Sequence, residues 1–322
     1  MKSFEGKIAV VTGGGTGMGR ELVKQLVAEG AHVATCDVNA DNMAETVTQA
    51  RSGASSSDTR VTTHVCDVSD GVAMDLFRDE VMEQHDTTFV NLVFNNAGIG
   101  GGGSFVAGPR RDWERTFGVC WGGVYNGCRS FVPLLVASDE GYLVNTSSVN
   151  GFWASLGPGT PHTAYSAAKF AVKGFTEALL EDFRVNAPHV KAAVVMPGHI
   201  GTDIAINSRV ILGGSSIDEM SAEEIDTTRA DIARRGVMPA DQLTDDMIKG
   251  FVKMMGEGFR DSAPTSAAEA AKVILDAVKA GEWRILIGDD AHALDEAVRR
   301  DPVSAYGPDG LSLGTITGAL RR

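Results

Sequence analysis

Tyr165-Ser166-Ala167-Ala168-Lys169 places a phenol and an ammonium at positions i and i+4. On a helix those positions share one face. An ammonium beside a phenol favours the phenolate, lowering a pKa that is ordinarily about 10. A tyrosine tuned in this way can exchange a proton with an alcohol or a ketone near neutral pH. Taken alone, the pair reads better as an exposed Tyr and Lys on a helix surface.

A second cluster is Thr12-Gly13-Gly14-Gly15-Thr16-Gly17-Met18-Gly19, between an apolar run and a helical pattern. A helix N-terminus carries unpaired N–H groups and the positive end of the dipole, which suits a phosphate. Glycine removes the side chains that would hold a pyrophosphate away. An ordinary tight turn is the plain alternative, and the strand-before, helix-after context argues against it. Asp37 follows 18 residues after Gly19. A carboxylate there can accept hydrogen bonds from both ribose hydroxyls of an adenosine and would repel a 2′-phosphate, which predicts NAD over NADP. Asp37 also stands just before a helix, so a helix N-cap is the competing role.

The elements that must position these groups are legible over the first 200 residues. Strands are expected at 7–12, 32–37, 61–67, 88–95, 141–147 and 190–196, each rich in Val, Ile or Thr and followed by turn residues. Helical patterns at 19–29, 43–51, 112–136 and 165–184 lie between them. This alternation predicts an α/β fold: a Rossmann-type, doubly wound, mainly parallel sheet with helices on both faces. A helix over 266–280, a strand over 283–287 and a helix over 291–300 complete a seven-stranded sheet. The whole chain is expected to be one domain. Residues 204–265 lose the alternation and read as an insertion. Residues 303–322 read as an irregular tail or an arm onto a neighbouring subunit.

Composition narrows the function. The chain has 322 residues, 43 % hydrophobic and 22 % charged, which describes a globular protein. Its net charge of −13 argues against nucleic acid or an anionic membrane as partner. No apolar run approaches the roughly 18 residues that cross a bilayer, and the N-terminus lacks the pattern of a signal peptide. A cytoplasmic protein is expected. The four cysteines have no metal-type spacing, so reduced core thiols and no metal site are expected.

Further motifs fall in a set order along the chain: Asp67-Val68 after the third strand, Asn95-Asn96-Ala97-Gly98 after the fourth, Ser148 after the fifth, and Pro197-Gly198-His199-Ile200-Gly201-Thr202 after the sixth. Together with the glycine turn, Asp37 and the Tyr165–Lys169 pair, the chain resembles a short-chain dehydrogenase/reductase of the simple oxidoreductase branch. The likeness covers residues 5 to about 203, with weaker similarity over 266–290. It implies that Gly13, Gly15, Thr16, Gly17, Met18 and Gly19 hold a pyrophosphate, that Asp37 takes the adenosine ribose, and that Asp67 and Val68 flank the adenine. Asn95, Ala97 and Gly98 would support the cofactor from the sheet edge. Pro197, Ile200 and Thr202 would position the nicotinamide. Lys169 would bind the nicotinamide ribose and tune Tyr165, the general acid/base, and Ser148 would hydrogen-bond the substrate oxygen. Ser147 is a rival, but the Ser-Ser-Val-x-Gly pattern favours Ser148. The implied reaction interconverts a secondary alcohol and a ketone with NAD, in a homodimer or homotetramer.

Three departures qualify the likeness. Cys120 stands where the family usually has an asparagine that supports a proton-relay water, and a thiol is a weak hydrogen-bond partner. The relay is therefore altered or routed through another group. Ser148 and Tyr165 are 17 residues apart, wider than the family's habit. The loop between them, with Phe152, Trp153 and His162, reads as enlarged beside the substrate, and His162 as an exposed loop residue. The insertion suits an amphipathic lid over an apolar pocket, or an oligomer contact. Phe152, Trp153 and the lid's Ile and Met residues suggest a bulky, apolar alcohol or ketone. Two other readings stay open: a non-catalytic NAD-binding sensor, which only Cys120 favours, and an isomerase or dehydratase using transient oxidation.

Overall fold

The computed structural model describes residues 1–234, 238–312 and 316. Strands β1 (Ile8–Thr12), β2 (His32–Asp37), β3 (Val61–Val65), β4 (Leu92–Asn95), β5 (Gly141–Thr146) and β6 (Val190–Pro197) share a sheet with β9 (Arg284–Ile287). β7 (Ile200–Gly201) and β8 (Thr265–Ser266) form a separate two-stranded ladder. The large sheet has seven strands in the order β3-β2-β1-β4-β5-β6-β9. Every pairing in it is parallel. The fold is the expected doubly wound one. β1 sits at the point where the strand order reverses, and β4 lies beside it. A crevice outside the carboxyl ends of such a pair is where ligands bind in open α/β sheets.

The strands alternate sides. Ala9 and Val11 of β1, Leu92 and Phe94 of β4, and Tyr142 and Val144 of β5 enter one core. Val10, Val93 and Leu143 enter the other. The first core is covered by α1 (Gly17–Ala28), α2 (Ala40–Ser52) and α10 (Ala267–Ala280), through residues such as Leu22, Leu26, Ala50 and Ile274. The second is covered by α3 (Gly71–His85), α5 (Gly123–Val136) and α6 (Thr163–Asn186), through Phe77, Phe131 and Val172. All four cysteines are free and buried, as reduced core thiols should be. Among the described residues no helix is long and apolar enough to cross a membrane, and no cluster of His, Cys, Asp and Glu could hold a metal.

Several boundaries differ from expectation for local reasons. The strand expected from 88 is shorter because its start is diverted: the Val90 N–H donates to the Leu134 carbonyl, while the Asn91 N–H donates to Ile8 of β1. The single helix expected over 112–136 is α4 (Arg110–Phe117), a π-helical turn (Gly118–Gly122) and α5, with Cys120 in the turn. π turns cluster at functional sites.

The insertion is helical. It contains α7 (Ile204–Ile211), α8 (Ala222–Arg234) and α9 (Asp245–Asp261). α8 and α9 bury Met220, Ile225, Ile232, Leu243 and Ile248 in a small core of their own. This is why the segment escaped the strand–helix rhythm: it packs on itself instead of on the sheet. α11 (Asp289–Arg300) and the described part of the tail form a further cluster with the loop after β5. Trp153 is its centre, fully buried, with its indole N–H donating to the Ala305 carbonyl at 3.1 Å. The Tyr306 hydroxyl accepts from the Ala154 N–H at 2.9 Å. Residues 303–312 thus pack on their own chain instead of reaching outward. The rest of the expected tail, 313–315 and 317–322, lies outside the described residues.

Candidate active site

The glycine turn closes at the carboxyl end of β1. The Gly13 and Gly14 N–H groups both donate to the Cys36 carbonyl at the end of β2. Gly13 has φ +68°, and a Cβ there would come within 2.8 Å of the Ala97 Cα, so neither the conformation nor the space tolerates a side chain. Gly17, with φ +54°, opens α1 beneath Thr202. Arg20 pins the turn from behind, its guanidinium donating to the Gly15 carbonyl at 2.7 Å.

Asp37 reaches the same turn. Its Oδ2 accepts from the Gly15 N–H at 3.0 Å and its Oδ1 from the Asn39 N–H at 3.0 Å. The helix cap is Asn39, whose side chain accepts from the Asn42 N–H, so Asp37 is not the N-cap of α2. Its carboxylate stands on the wall of a cavity of about 490 Å³. Gly13, Thr16, Gly17 and Met18 line one part of that cavity; Asp67, Val68, Ala97, Gly98 and Thr202 also line it. A phosphate-sized cradle at a helix N-terminus, with an acidic acceptor close by, fits a dinucleotide.

Asp67 is committed within this wall. Ser69 donates to its Oδ1 from both N–H and hydroxyl, and the Arg115 guanidinium pairs with its Oδ2 at 2.7 Å. Burial works against ionisation, but these donors outweigh it and hold the carboxyl below its ordinary value. Arg115 of α4 lines the cavity too, and nothing in its sequence surroundings marked it. Asn95 is not on the wall. Its side-chain amide donates to the Asn145 Oδ1 at 2.8 Å and is buried between β4 and β5; Asn96 is the one that lines the cavity. Pro197 and Ile200 are buried beyond the cavity's lining, and Ile200 is part of the first core. The backbone joining them is held by Asp290 at the start of α11, which accepts from the His199 N–H at 2.7 Å.

The reactive groups meet at the end of β5. Ser147 and Ser148 separate by role. The Ser147 hydroxyl donates to the Lys169 carbonyl at 2.7 Å and is structural. Ser148 accepts from the Asn150 N–H and hydrogen-bonds the Tyr165 phenol. Lys169 is 2 % exposed, with Nζ 5.4 Å from the centre of the Tyr165 ring and donating to the Thr146 carbonyl at 2.8 Å. Electrostatics differ here from the expectation of a lowered phenol. Burial pushes Tyr165 well above its ordinary value, nearby Cys120 adds to the rise, and Ser148 opposes it. Burial also lowers Lys169. The phenol therefore holds its proton in this state.

The loop after Ser148 corrects two readings. Trp153 faces α11 and the tail, with Phe152 packed against the same cluster, so neither supports an apolar substrate pocket. His162 is not an exposed loop residue. It is part-buried, with its ring 4.7 Å from that of Tyr165.

α7 lies over the cavity. Ile204, Asn207, Ser208 and Ile211 line it, the Ser208 hydroxyl accepts from the Gly100 N–H at 2.7 Å, and Asn207 reaches Thr16 at 3.3 Å. This accounts for the middle of the glycine run 100–103. A Cβ on Gly101 would meet Leu212 at 2.6 Å, and one on Gly102 would meet Ala164 at 2.4 Å. The run is the thin seam between the insertion and the first turn of α6. The insertion's methionines Met254 and Met255 lie elsewhere, along a separate groove of about 1080 Å³ between α7 and α9.

Residues 7–210 match the family model described as short chain dehydrogenase. A Mycobacterium tuberculosis protein named as an oxidoreductase, SadH, is 36 % identical over 300 residues, covering 93 % of this chain and 92 % of its own. Human epidermal retinol dehydrogenase 2 is 32 % identical over 202 residues, 62 % of each chain. Among solved structures, a short chain dehydrogenase/reductase from Burkholderia phymatum in complex with NAD superposes with a TM-score of 0.75. It is 26 % identical and covers 97 % of this chain and all of that one.

Proposed function

The chain belongs to the short-chain dehydrogenase/reductase family, and from that membership we propose that it is an NAD-dependent oxidoreductase interconverting a secondary alcohol and a ketone. The observation that carries this reading is the convergence of Ser148, Tyr165 and Lys169 at the end of β5, with Lys169 against Gly98 of the cavity wall. NAD is supported by the Asp37 carboxylate on the cavity wall and by the NAD complex of the Burkholderia relative. When bound, the nicotinamide takes up or gives up the hydride.

The protein's part is placement and proton handling. The Gly13–Gly19 turn and α1 dipole hold the pyrophosphate. Lys169 supplies positive charge under the phenol and hydrogen bonds to the nicotinamide ribose. Ser148 and Tyr165 both address the substrate oxygen, the serine polarising it and the tyrosine giving or taking its proton. α7, with Ile204 and Ile211 on the cavity, acts as a lid that keeps water from the reacting carbon. Those residues, with Ile99 and Val119 opposite, favour an apolar alcohol or ketone, and the human relative is named for an alcohol, retinol. The assay is a panel of apolar secondary alcohols with NAD, read by NADH absorbance. Turnover of at least one is expected; tight NAD binding with turnover of none would favour a sensor.

We also propose a homodimer or homotetramer formed through α5 and α6. Their outer faces leave Tyr125 45 % and Phe170 42 % exposed, apolar surface that a partner could cover. Light scattering should return a multiple of the 33.9 kDa chain, reduced by Phe170→Glu. A wild-type monomer would remove this assembly from the account.

A further inference from the structure

Tyr165 and Lys169 stand at i and i+4 on one face of α6, and His162 is the residue that caps the start of that helix. The three are graded: Lys169 is buried, Tyr165 and His162 are part-buried, and His162 is nearest the loop. Whatever proton Tyr165 exchanges with a substrate must also be exchanged with water. Four side chains that can hold a proton interact with Tyr165. Lys169 is enclosed and donates to the Thr146 carbonyl. Cys120 is fully buried, and its thiol donates to the Ile99 carbonyl at 3.2 Å. Ser148 is 6 % exposed and accepts from the Asn150 N–H. His162 alone is both accessible and without a hydrogen bond among the described residues, and its ring lies against the Tyr165 ring at 4.7 Å, tilted by 34°.

Resting on the oxidoreductase reading above, we infer that His162 carries the Tyr165 proton between the part-buried phenol and solvent. A neutral imidazole has one acceptor and one donor nitrogen, so it can take a proton on one side as it releases another from the other. Burial alone lowers His162 to about 4, which keeps the acceptor nitrogen free at neutral pH. In alcohol oxidation, the Tyr165 O–H bond breaks as an N–H bond forms on His162, whose other nitrogen gives its proton to water. The phenolate then takes the hydroxyl proton while the hydride, with its electron pair, leaves the carbinol carbon for the bound cofactor. One alcohol loses a hydride and a proton, one proton reaches solvent, Tyr165 ends as it began, and His162 ends as its other neutral tautomer, which proton exchange with water resets. Ketone reduction runs the same path backwards. This is the alternative route that Cys120, standing in place of an asparagine, calls for.

His162→Phe keeps an aromatic ring against Tyr165 and removes only the proton path. At low buffer concentration it should lower kcat by about tenfold or more, with KM little changed. Added imidazole should restore kcat in proportion to its free-base concentration. A structural role would leave the variant deaf to imidazole. Undiminished kcat at low buffer, or a loss that imidazole does not repair, overturns the inference. A second measurement needs no turnover and so separates this inference from the functional reading. In protein labelled at the tyrosine rings, solvent exchange of the Tyr165 hydroxyl proton, followed by NMR, should slow about tenfold in His162→Phe and recover with imidazole. Equal exchange in the two proteins overturns the relay even if the wild type oxidises alcohols. Slowed exchange upholds it even if no alcohol is turned over.

Discussion

Tyr165→Phe is expected to lower kcat about a thousandfold while leaving NAD affinity within a factor of a few. The substitution removes one oxygen from a ring that is otherwise held by its neighbours, so the fold has no reason to respond. On the proposed mechanism, what disappears is the group that both polarises the substrate oxygen and exchanges its proton. A thousandfold is about 4 kcal/mol of transition-state stabilisation, the scale of one oxyanion donor combined with proton transfer. Ser148, which hydrogen-bonds the phenol, would remain and account for residual rate. The measurement is steady-state turnover of any alcohol the wild type accepts, alongside NAD binding by calorimetry. Retained turnover would mean that the phenol only packs. Lost NAD binding would mean that it mainly holds the cofactor.

The second large effect is on cofactor choice. Asp37→Ser should reduce kcat/KM for NAD by about 10- to 100-fold, from the loss of charge-assisted hydrogen bonds to the ribose. It should raise kcat/KM for NADP, because the carboxylate that repels a 2′-phosphate is gone. The serine retains an acceptor for the Gly15 N–H, which Asp37 engages at 3.0 Å, so the turn should survive. Circular dichroism and thermal unfolding would check that. The ratio of the two kcat/KM values is the readout. A ratio that does not move would return Asp37 to the role of a loop acceptor for Gly15 and Asn39.

The parts of this molecule that were legible in advance are those whose causes are local. A parallel strand buried on both faces is written as a β-branched run, and β1, β2, β5 and β6 appear where such runs stand. The glycine turn is written in its own residues because each must avoid a specific neighbour. Ser148, Tyr165 and Lys169 were legible through their order and spacing. What was illegible depends on partners distant in sequence. His162 resembles any loop histidine until the Tyr165 ring is seen against it. Trp153 resembles a pocket wall until Ala305 is found accepting from its indole. Arg115 became part of the cavity through Asp67, and Asp290 reached the loop after β6 from α11. Gly101 and Gly102 are explained by Leu212 and Ala164. The insertion hid for a related reason: its apolar residues satisfy each other in a small helical core, so they carry no sheet-facing rhythm.

Isotope transfer tests the central claim most directly. The protein is incubated with NAD and a secondary alcohol deuterated at the carbinol carbon, and the products are analysed by mass spectrometry. The account predicts ketone and deuterated NADH in equal amounts, with turnover slowed by the deuterium and nearly abolished by Tyr165→Phe. NAD bound but never reduced, or deuterium returned to a rearranged substrate with no net NADH, would contradict it.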